Sequence, residues 1–241
     1  MRFYRRLLPF QAISFDLDDT LYSNHPIMVQ TDKKMASYFQ RILSDHGIKD
    51  RKTLYNARYW FPFRQQALMR YPQLKHDVGL LRQKVYALGA LSLGFKASVA
   101  EEFANAALTY FVEQRSNFTL PQHTHDFLLY LKTKRPLVAI TNGNVDMDKI
   151  GLSQYFSHRF NSSIENRLKP DADMFNKACT ALDISNEQLL HVGDCGINDI
   201  LGGANAGCQT AWLNKYNVGK PLKVLPNIML DNIEELVEMV N

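Results

Sequence analysis

The sequence contains little cysteine, has no long hydrophobic run and carries only a small excess of positive charge. Its three cysteines, Cys179, Cys195 and Cys208, are odd in number and form no CxxC pair, which excludes a disulfide framework and a zinc knuckle. No stretch approaches the roughly 18 uncharged apolar residues that cross a bilayer. The basic and apolar N-terminus has no small-residue cleavage site. We therefore expect a cytoplasmic protein with no membrane partner.

The charge balance also argues against a nucleic-acid partner. The 28 lysines and arginines face 24 aspartates and glutamates, so the net charge is +4 over 241 residues. This surplus is spread along the chain, and no nucleic-acid-binding motif accompanies it. The 46% hydrophobic and 22% charged content is that of an ordinary globular protein. The length predicts one to two domains with a core of their own.

Short apolar runs that alternate with helical patterns predict an α/β fold with a doubly wound parallel sheet. The runs predict five strands, at residues 11–16, 136–141, 189–194, 209–213 and, at an edge of the sheet, 227–230. Helical patterns lie between them, at residues 124–133, 171–182 and 198–206.

The alternation of strands and helices stops between about residues 24 and 118. Met35, Phe39 and Leu43 recur there at helical spacing, and residues 55–70 and 78–91 carry similar patterns. We therefore predict an α/β core formed by 1–22 and 119–241, interrupted by an all-helical cap at 23–118.

The first predicted strand ends in two closely spaced carboxylates within the segment FDLDDT. Asp16 and Asp18 would share one side of an extended chain, and two neighbouring carboxylates need a cation or a shared proton to coexist. Aspartate and threonine are also common turn residues, so a simple turn is the alternative.

Two further segments offer groups that bind anions. Thr141 and Asn142 follow the second predicted strand, where a hydroxyl, an amide and backbone N–H groups before a helix suit an oxyanion. Ordinary helix capping is the alternative. Lys169 precedes Pro170 and a helix, and its compact positive charge suits phosphate, although a surface lysine would look the same.

A second pair of carboxylates, Asp194 and Asp199, follows the strand at 189–194. These oxygen ligands, without a histidine or cysteine cluster, favour Mg²⁺ over zinc. Ligands of open α/β sheets bind at the carboxyl ends of the strands, so all four segments are expected to meet there.

In this order, the four segments resemble the motifs of the haloacid dehalogenase (HAD) superfamily. The resemblance implies a Rossmann-like core with a helical cap inserted after the first strand. The N-terminal residues MRFYR, the loop ITNGN and the segment HVGD are also similar to bacterial flavin-pathway phosphatases, which act on ribitylaminouracil phosphate or on FMN. The matched residues are Asp16 to Thr20, Thr141, Lys169, Gly193 with Asp194, and Asn198 with Asp199.

The resemblance also implies a role for each site residue. Asp16 would be the nucleophile that forms an aspartyl-phosphate, and Asp18 the general acid and then the general base. Mg²⁺ would be held by the Asp16 carboxylate, the Asp18 backbone carbonyl and Asp194. Asp199 would lie in the outer shell of the metal.

The implied substrate is a small phosphorylated metabolite. Its non-bridging oxygens would contact Thr141, Asn142 and Lys169. The resemblance thus implies a Mg²⁺-dependent phosphatase. Two other functions stay open: a 2-haloacid dehalogenase, which in this family lacks the acid at the position of Asp18, and a non-catalytic regulator that binds a phosphorylated ligand.

Cations and aromatic rings stand side by side in the cap segment at 58–72. Arg58, Trp60 and Arg64 are candidates for contact with a flat substrate ring. The alternative is that the rings pack into the core of the cap and the arginines face water. The sequence leaves both a monomer and a homodimer open.

Overall fold

The computed structural model describes residues 1–48, 57–216 and 218–240. Seven strands form one sheet in the order β1-β7-β6-β5-β2-β3-β4, and every neighbouring pair is parallel except β1 with β7. The strands are β1 (Arg2–Phe3), β2 (Ala12–Phe15), β3 (Leu137–Thr141), β4 (His158–Asn161), β5 (Leu189–Gly193), β6 (Gln209–Leu213) and β7 (Ile228–Leu230).

Eight α-helices complete the described part of the fold, and none is long and apolar enough to cross a membrane. They are α1 (Asn24–Asp45), α2 (Ala57–Arg70), α3 (Val78–Ser92), α4 (Ala97–Arg115), α5 (Gln122–Lys134), α6 (Asp173–Leu182), α7 (Gly202–Asn205) and α8 (Val237–Val240). The helix predicted at 55–70 begins at Ala57, and residues 55 and 56 lie outside the described residues.

The central strands β2, β3 and β5 are buried at every position. A parallel strand covered on both faces is apolar throughout, which is why these short runs were recognisable in the sequence. The α/β fold with its mainly parallel sheet is therefore confirmed.

Three details of the sheet differ from the prediction. Residues 227–230 were expected at an edge, but β7 lies between β6 and the antiparallel strand β1. Strand β1 has only two residues, too few to show a pattern. The opposite edge strand, β4, has the sequence HRFN with two exposed and two half-buried residues, so it has no apolar run to detect.

The helix predicted at 198–206 is a π-helix (Gly196–Leu201) that continues into α7. The backbone N–H of Ile200 donates to the Cys195 carbonyl 3.2 Å away, which is the wide i to i+5 spacing of a π-helix. Periodicity does not distinguish this irregular turn from an α-helix.

The direction in which successive strands are added to the sheet reverses between the parallel neighbours β2 and β5. After β2 the sheet grows on one side through β3 and β4, whereas after β5 it grows on the other side through β6 and β7. Loops that leave two neighbouring strands in opposite directions open a crevice at the strands' carboxyl ends, the usual ligand site of such sheets.

The described chain separates into two compact units. The first contains Met1–Asn24, Thr119–Gly143 and Met147–Asn241, and it includes the sheet. The second contains His25–Phe118 and Asn144–Asp146, and it is helical. Compactness does not test whether either unit folds alone, so the domain assignment of 1–22 with 119–241 and of 23–118 stays a prediction.

The helical unit has its own core, built by the predicted helical faces of α1, α3 and α4. Phe39 lies at its centre, with its ring centroid 5.3 Å from that of Tyr86 and 4.9 Å from that of Trp60. Trp60 in turn packs on Gly89 of α3, where an added Cβ would come within 2.3 Å of the indole ring. The Trp60 indole can therefore occupy this position only because residue 89 is a glycine.

We expect Gly89→Ala to destabilise the helical unit. Alanine favours a helix over glycine by about 0.5–1 kcal/mol, but overpacking a core costs about 1–3 kcal/mol, so the net effect is a loss. Thermal unfolding measures it, with Gly79→Ala in the same helix as control, because an added Cβ there meets only the Asp77 side chain, at 3.3 Å. Equal stability of the two variants would contradict this packing.

Candidate active site

Asp16 is the first residue after β2 and lies at the crevice. Its backbone N–H donates to the Val192 carbonyl 2.9 Å away, which extends the pairing of β2 with β5 and fixes the residue. The chain then turns sharply, with the Leu21 N–H donating to the Leu17 carbonyl at 2.9 Å. Asp16 itself is buried, so its carboxylate depends on partners from other segments.

The two aspartates that follow have different partners. The Tyr22 hydroxyl donates to Asp18 Oδ1 at 2.8 Å and orients this half-buried carboxyl group. Asp19 has a left-handed backbone, with φ of 56°, and accepts the N–H of Asn24 at the start of α1 at 2.8 Å. The turn interpretation is thus correct for Asp19. The charge of Asp18 adds to the causes that raise the pKa of Asp16.

Lys169 lies at the centre of the crevice with only 1% of its surface exposed. Its Nζ donates to Asp16 Oδ1 at 2.7 Å, to Asp199 Oδ1 at 2.6 Å and to the Ile140 carbonyl at 2.7 Å. An ammonium group has three N–H donors, and all three are used here. The surface-lysine interpretation is therefore wrong, and the carboxylate of Asp16 is one of the three groups that Lys169 contacts.

Asn142 holds the backbone of Lys169 on both sides. Its Nδ2 donates to the Lys169 carbonyl at 3.0 Å, and its Oδ1 accepts the Lys169 N–H at 2.8 Å. The Asn142 side chain thus positions the lysine. The buried Thr141 hydroxyl accepts the Gly143 N–H at 3.0 Å. Phosphate contacts of Thr141, Asn142 and Lys169 stay predictions.

Asp199 is buried and accepts hydrogen bonds from several directions. Besides Lys169, its Oδ2 accepts the Cys195 N–H at 2.9 Å, and its Oδ1 lies 3.2 Å from His191 Nε2. A Cβ on Gly193 would lie 2.3 Å from the Asp199 carboxyl carbon, so glycine is needed there for the carboxylate to approach. Asp199 therefore lies behind Lys169 and holds it in place.

His191 connects this group to the interior of the sheet. As expected for a histidine inside a strand, it is buried and hydrogen-bonded, with Nδ1 2.9 Å from Ser14 Oγ. Burial lowers its pKa, so the neutral ring donates from Nε2 to Asp199 and accepts from Ser14. The role of Ser14 has no signal in the sequence, because one serine in an apolar strand matches no motif.

Comparisons with known proteins show the family to which the chain belongs. The model of the haloacid dehalogenase-like hydrolase family matches residues 10–207. The chain belongs to this family. It is 33% identical, over the full length of both chains, to the 5-amino-6-(5-phospho-D-ribitylamino)uracil phosphatase YigB of Escherichia coli. It is 32% identical to a phosphoglycolate phosphatase of Vibrio cholerae, over 95% of this chain and 96% of the relative.

A solved structure shares the whole fold. The 2-haloacid dehalogenase of Pseudomonas syringae superposes with a TM-score of 0.86 at 25% identity, covering 95% of this chain and 97% of the other. The family and the Rossmann-like sheet with added helices, expected from the motifs, are therefore confirmed. The chain is a HAD-like hydrolase.

The carboxylates of this HAD-like site have opposite pKa shifts. Burial raises the pKa of Asp16 to about 7, although Lys169 acts against it. Burial and the neighbouring carboxylates Asp199 and Asp16 raise the pKa of Asp194 to about 8. Burial would also raise the pKa of Asp199, but Lys169 and His191 hold it below its usual range. Asp199 thus stays ionised. Asp16 and Asp194 have too little positive charge nearby to offset the effect of burial on their pKa values.

The residues present fit a divalent cation. One carboxylate oxygen each of Asp16, Asp194 and Asp199 lies within 4.8 Å of the others. Oxygen donors of this kind suit Mg²⁺, and a cation would relieve the repulsion that raises the pKa of Asp194. Asp199 already accepts from Lys169, His191 and Cys195, so fewer of its lone pairs are available to a cation. The ligand set and the outer place of Asp199 stay predictions.

Two residues that the sequence did not single out hold the backbone of Asp194. The Trp212 indole Nε1 donates to the Asp194 carbonyl at 2.7 Å. Gly219 packs against the same group, since a Cβ there would lie 2.5 Å from this carbonyl oxygen. Both lie far from Asp194 in the sequence, and only the fold brings them to it.

The cap candidates lie in the helical unit on α2. Trp60 and Arg64 line a cavity of about 680 Å³ among the helices of that unit, and Arg58 is exposed and is not among its lining residues. Trp60 also packs on Phe39 and Gly89, as the core-packing alternative expects. Their contact with substrate stays a prediction.

We expect His191→Ala to destabilise the sheet unit by about 2–4 kcal/mol, because it leaves a cavity and removes a donor from the buried Asp199. Its ring also packs edge-on against Phe175, with centroids 4.8 Å apart. Chemical denaturation measures the loss. His123→Ala, at an exposed position, is the matched control and should change stability by less than about 0.5 kcal/mol. Similarly small losses of stability in both variants would show that His191 does not stabilise Asp199 and its neighbours.

Proposed function

We propose that the chain is a Mg²⁺-dependent phosphatase that hydrolyses a small phosphate monoester through an aspartyl-phosphate on Asp16. The observation that carries the proposal is the contact of Asp16 with the Lys169 ammonium at 2.7 Å, with a second carboxyl group, Asp18, two residues further on. A buried carboxylate beside a cation serves as a nucleophile, and a nearby carboxyl group serves as its proton donor.

The first step transfers the phosphoryl group to the protein. An Asp16 carboxylate oxygen attacks phosphorus in line with the ester oxygen, so a bond from Asp16 to phosphorus forms and the ester P–O bond breaks. Asp18, held by the Tyr22 hydroxyl, gives its proton to the leaving alkoxide. Lys169 orients the attacking carboxylate and favours its ionised form, against the effect of burial.

The second step regenerates the enzyme. Asp18, now a carboxylate, takes a proton from a water molecule, and the water oxygen attacks phosphorus and releases the Asp16 carboxylate and inorganic phosphate. Asp199 and His191 keep Lys169 in place through both steps. The Thr141 hydroxyl and the backbone N–H groups after β3 are the donors we assign to the non-bridging oxygens.

Mg²⁺ is held, in this proposal, by the carboxylates of Asp16 and Asp194 and by the Asp18 backbone carbonyl, with Asp199 outside them. When bound, the ion neutralises charge on the oxygens of the transferred phosphoryl group. The close approach of the carboxylates and the raised pKa of Asp194 support this assignment.

The substrate we propose is the ribitylaminouracil phosphate named for the relative YigB, or FMN. The identity of 33% over the full length of both chains supports this choice. Other relatives are named for phosphoglycolate and for pyrimidine nucleotides, so the ester is a small phosphorylated metabolite in each case. Arg58, Trp60 and Arg64 are our candidates for contact with the ring of the substrate.

Haloacid dehalogenation is the second candidate, because the dehalogenase of Pseudomonas syringae has the same fold at a TM-score of 0.86. Halide leaves without a proton, whereas an alkoxide needs one. A carboxyl group at Asp18, oriented by Tyr22, therefore favours ester hydrolysis. Chloride release from 2-chloropropionate would favour the second candidate.

The function is tested with ribitylaminouracil phosphate, FMN, phosphoglycolate and pyrimidine nucleotides, each assayed with Mg²⁺ and with EDTA. We expect phosphate release with Mg²⁺ only, and the highest kcat/KM on ribitylaminouracil phosphate or FMN. Activity that persists in EDTA, or no phosphate release from any ester, would overturn the proposal.

We expect Asp18→Asn to lower kcat by about 10²- to 10⁴-fold, which is the usual contribution of a general acid, with little change in KM. Asp16→Asn removes the nucleophile instead, so the two variants differ in a rapid acid quench. The wild type should yield a phosphoenzyme sensitive to hydroxylamine, and Asp16→Asn none. Trapped phosphoenzyme in Asp16→Asn would exclude Asp16 as the nucleophile.

We expect Mg²⁺ to raise the Tm more at pH 9 than at pH 6. Without metal, the pKa values of about 7 for Asp16 and about 8 for Asp194 lie above the unfolded value, so these groups stabilise the fold at low pH and lose that contribution as the pH rises through 7–8. Mg²⁺ must displace their protons at pH 6 but not at pH 9. Asp194→Asn should remove most of the shift. An equal shift at both pH values would contradict these assignments.

A further inference from the structure

The helical unit holds a cavity of about 680 Å³ that is open to solvent on one side. None of its lining residues takes part in the proposed phosphoryl transfer, although Trp60 and Arg64 are also our candidates for contact with the substrate ring. The cavity lies among α1, α2 and α3, and its volume is in the range of 300–1,000 Å³ typical of small-molecule sites. Aromatic rings form much of its wall, namely those of Phe39, Trp60, Phe61 and Tyr86. A cavity walled by rings suits a flat apolar ligand that stacks between them.

The charged groups at this cavity are unbalanced. Lys33, Arg64 and Arg82 line it, whereas Asp32 is its one acidic lining residue. Among the described residues, none of these four forms an ion pair within 4.0 Å, but Arg82 lies close enough to Asp32 to oppose the rise of its pKa. The cavity therefore has an excess of positive charge, which favours an anionic ligand.

Arg82 shows this best. Its guanidinium lies over the Phe111 ring, 3.6 Å from the centroid, so packing fixes its position. Its Nε is buried and has no hydrogen-bond partner. An unpaired buried donor costs about 1–3 kcal/mol, and an acceptor brought by a ligand removes that cost.

The shape of the wall is also fixed before any ligand binds. The Trp60 indole is held between Phe39, at a centroid distance of 4.9 Å, and Tyr86, at 5.1 Å, and it fits into the space left by Gly89. Rigid rings lose little freedom when a ligand stacks on them, so more of the contact energy is available for binding.

We propose that this cavity is a binding site for a small planar aromatic or heteroaromatic anion, with its ring against the aromatic wall and its charged group toward Arg82 and Arg64. The site shares Trp60 and Arg64 with the substrate contacts proposed above, but it goes beyond the phosphatase proposal because binding there requires no phosphoryl transfer. An aromatic carboxylate carries both of the required features, a ring and a single anionic group.

The test measures the affinity of small probes for the full chain by calorimetry. EDTA is present so that no turnover occurs. The probes are orotate and 2-naphthoate, with uracil as a ring without charge and acetate as a charge without a ring. We expect at least one ring carboxylate to bind with a dissociation constant of about 1 mM or tighter, and uracil and acetate at least about tenfold more weakly.

Variants then locate the site. Arg82→Gln and Arg64→Gln should each weaken binding of the ring carboxylate by about tenfold, which is the loss of one charge-assisted hydrogen bond. Arg70→Gln, at an exposed position of the same helix and outside the cavity, is the matched control and should bind like the wild type. Arg64 is exposed, so its variant keeps the test informative even if Arg82→Gln fails to fold.

Three outcomes would overturn the proposal: no binding of either ring carboxylate, equal binding of acetate, or unchanged affinity in Arg64→Gln and Arg82→Gln. Affinity lost in Lys169→Met but kept in both arginine variants would place the probe at the sheet and would also overturn it. The ester assays read phosphate release, so failure of the cavity and failure of the phosphatase proposal are separate results.

Discussion

The site depends on one buried ammonium group that two carboxylates share. Lys169 contacts Asp16 on one side and Asp199 on the other, and a buried charge is tolerated only when it is paired in this way. Each partner comes from a different strand end, so the sheet must form before the charges can neutralise one another. Asn142 fixes the backbone of Lys169, and His191 fixes the carboxylate of Asp199. The lysine and its partners therefore have few alternative arrangements.

The sequence allowed the central strands and the charged residues to be predicted, but not how those residues contact each other. Apolar runs at β2, β3 and β5 identified the strands. Asp16 and Asp194 were recognised because they end such runs, and Lys169 because it precedes Pro170 and a helix. A pattern in the sequence does not show which residues form hydrogen bonds with one another. The amide of Asn142 was expected on a phosphate and is found on a backbone, a contact between residues 27 positions apart.

The edge strands of the sheet and the π-helix are also features that the sequence did not allow us to predict. A two-residue strand and a half-exposed strand carry too little hydrophobic signal to be recognised, although they complete the sheet. The helical unit was predictable because its apolar faces repeat over four helices. Its cavity was not, since a cavity results from how three helices diverge, which no spacing of residues along a single helix records.

The position of the helical unit in the chain lets mutations in that unit occur independently of mutations around Lys169. Its residues enter between β2 and α5, yet β2 and β3 pair directly, with Ile13 opposite Leu137. The pairing of these strands does not depend on what the intervening segment contains. Mutations that alter the cavity can therefore accumulate while the residues around Lys169 stay unchanged. Under our two proposals, such a gene can diversify the ligands of its helical unit and keep the reaction of its sheet.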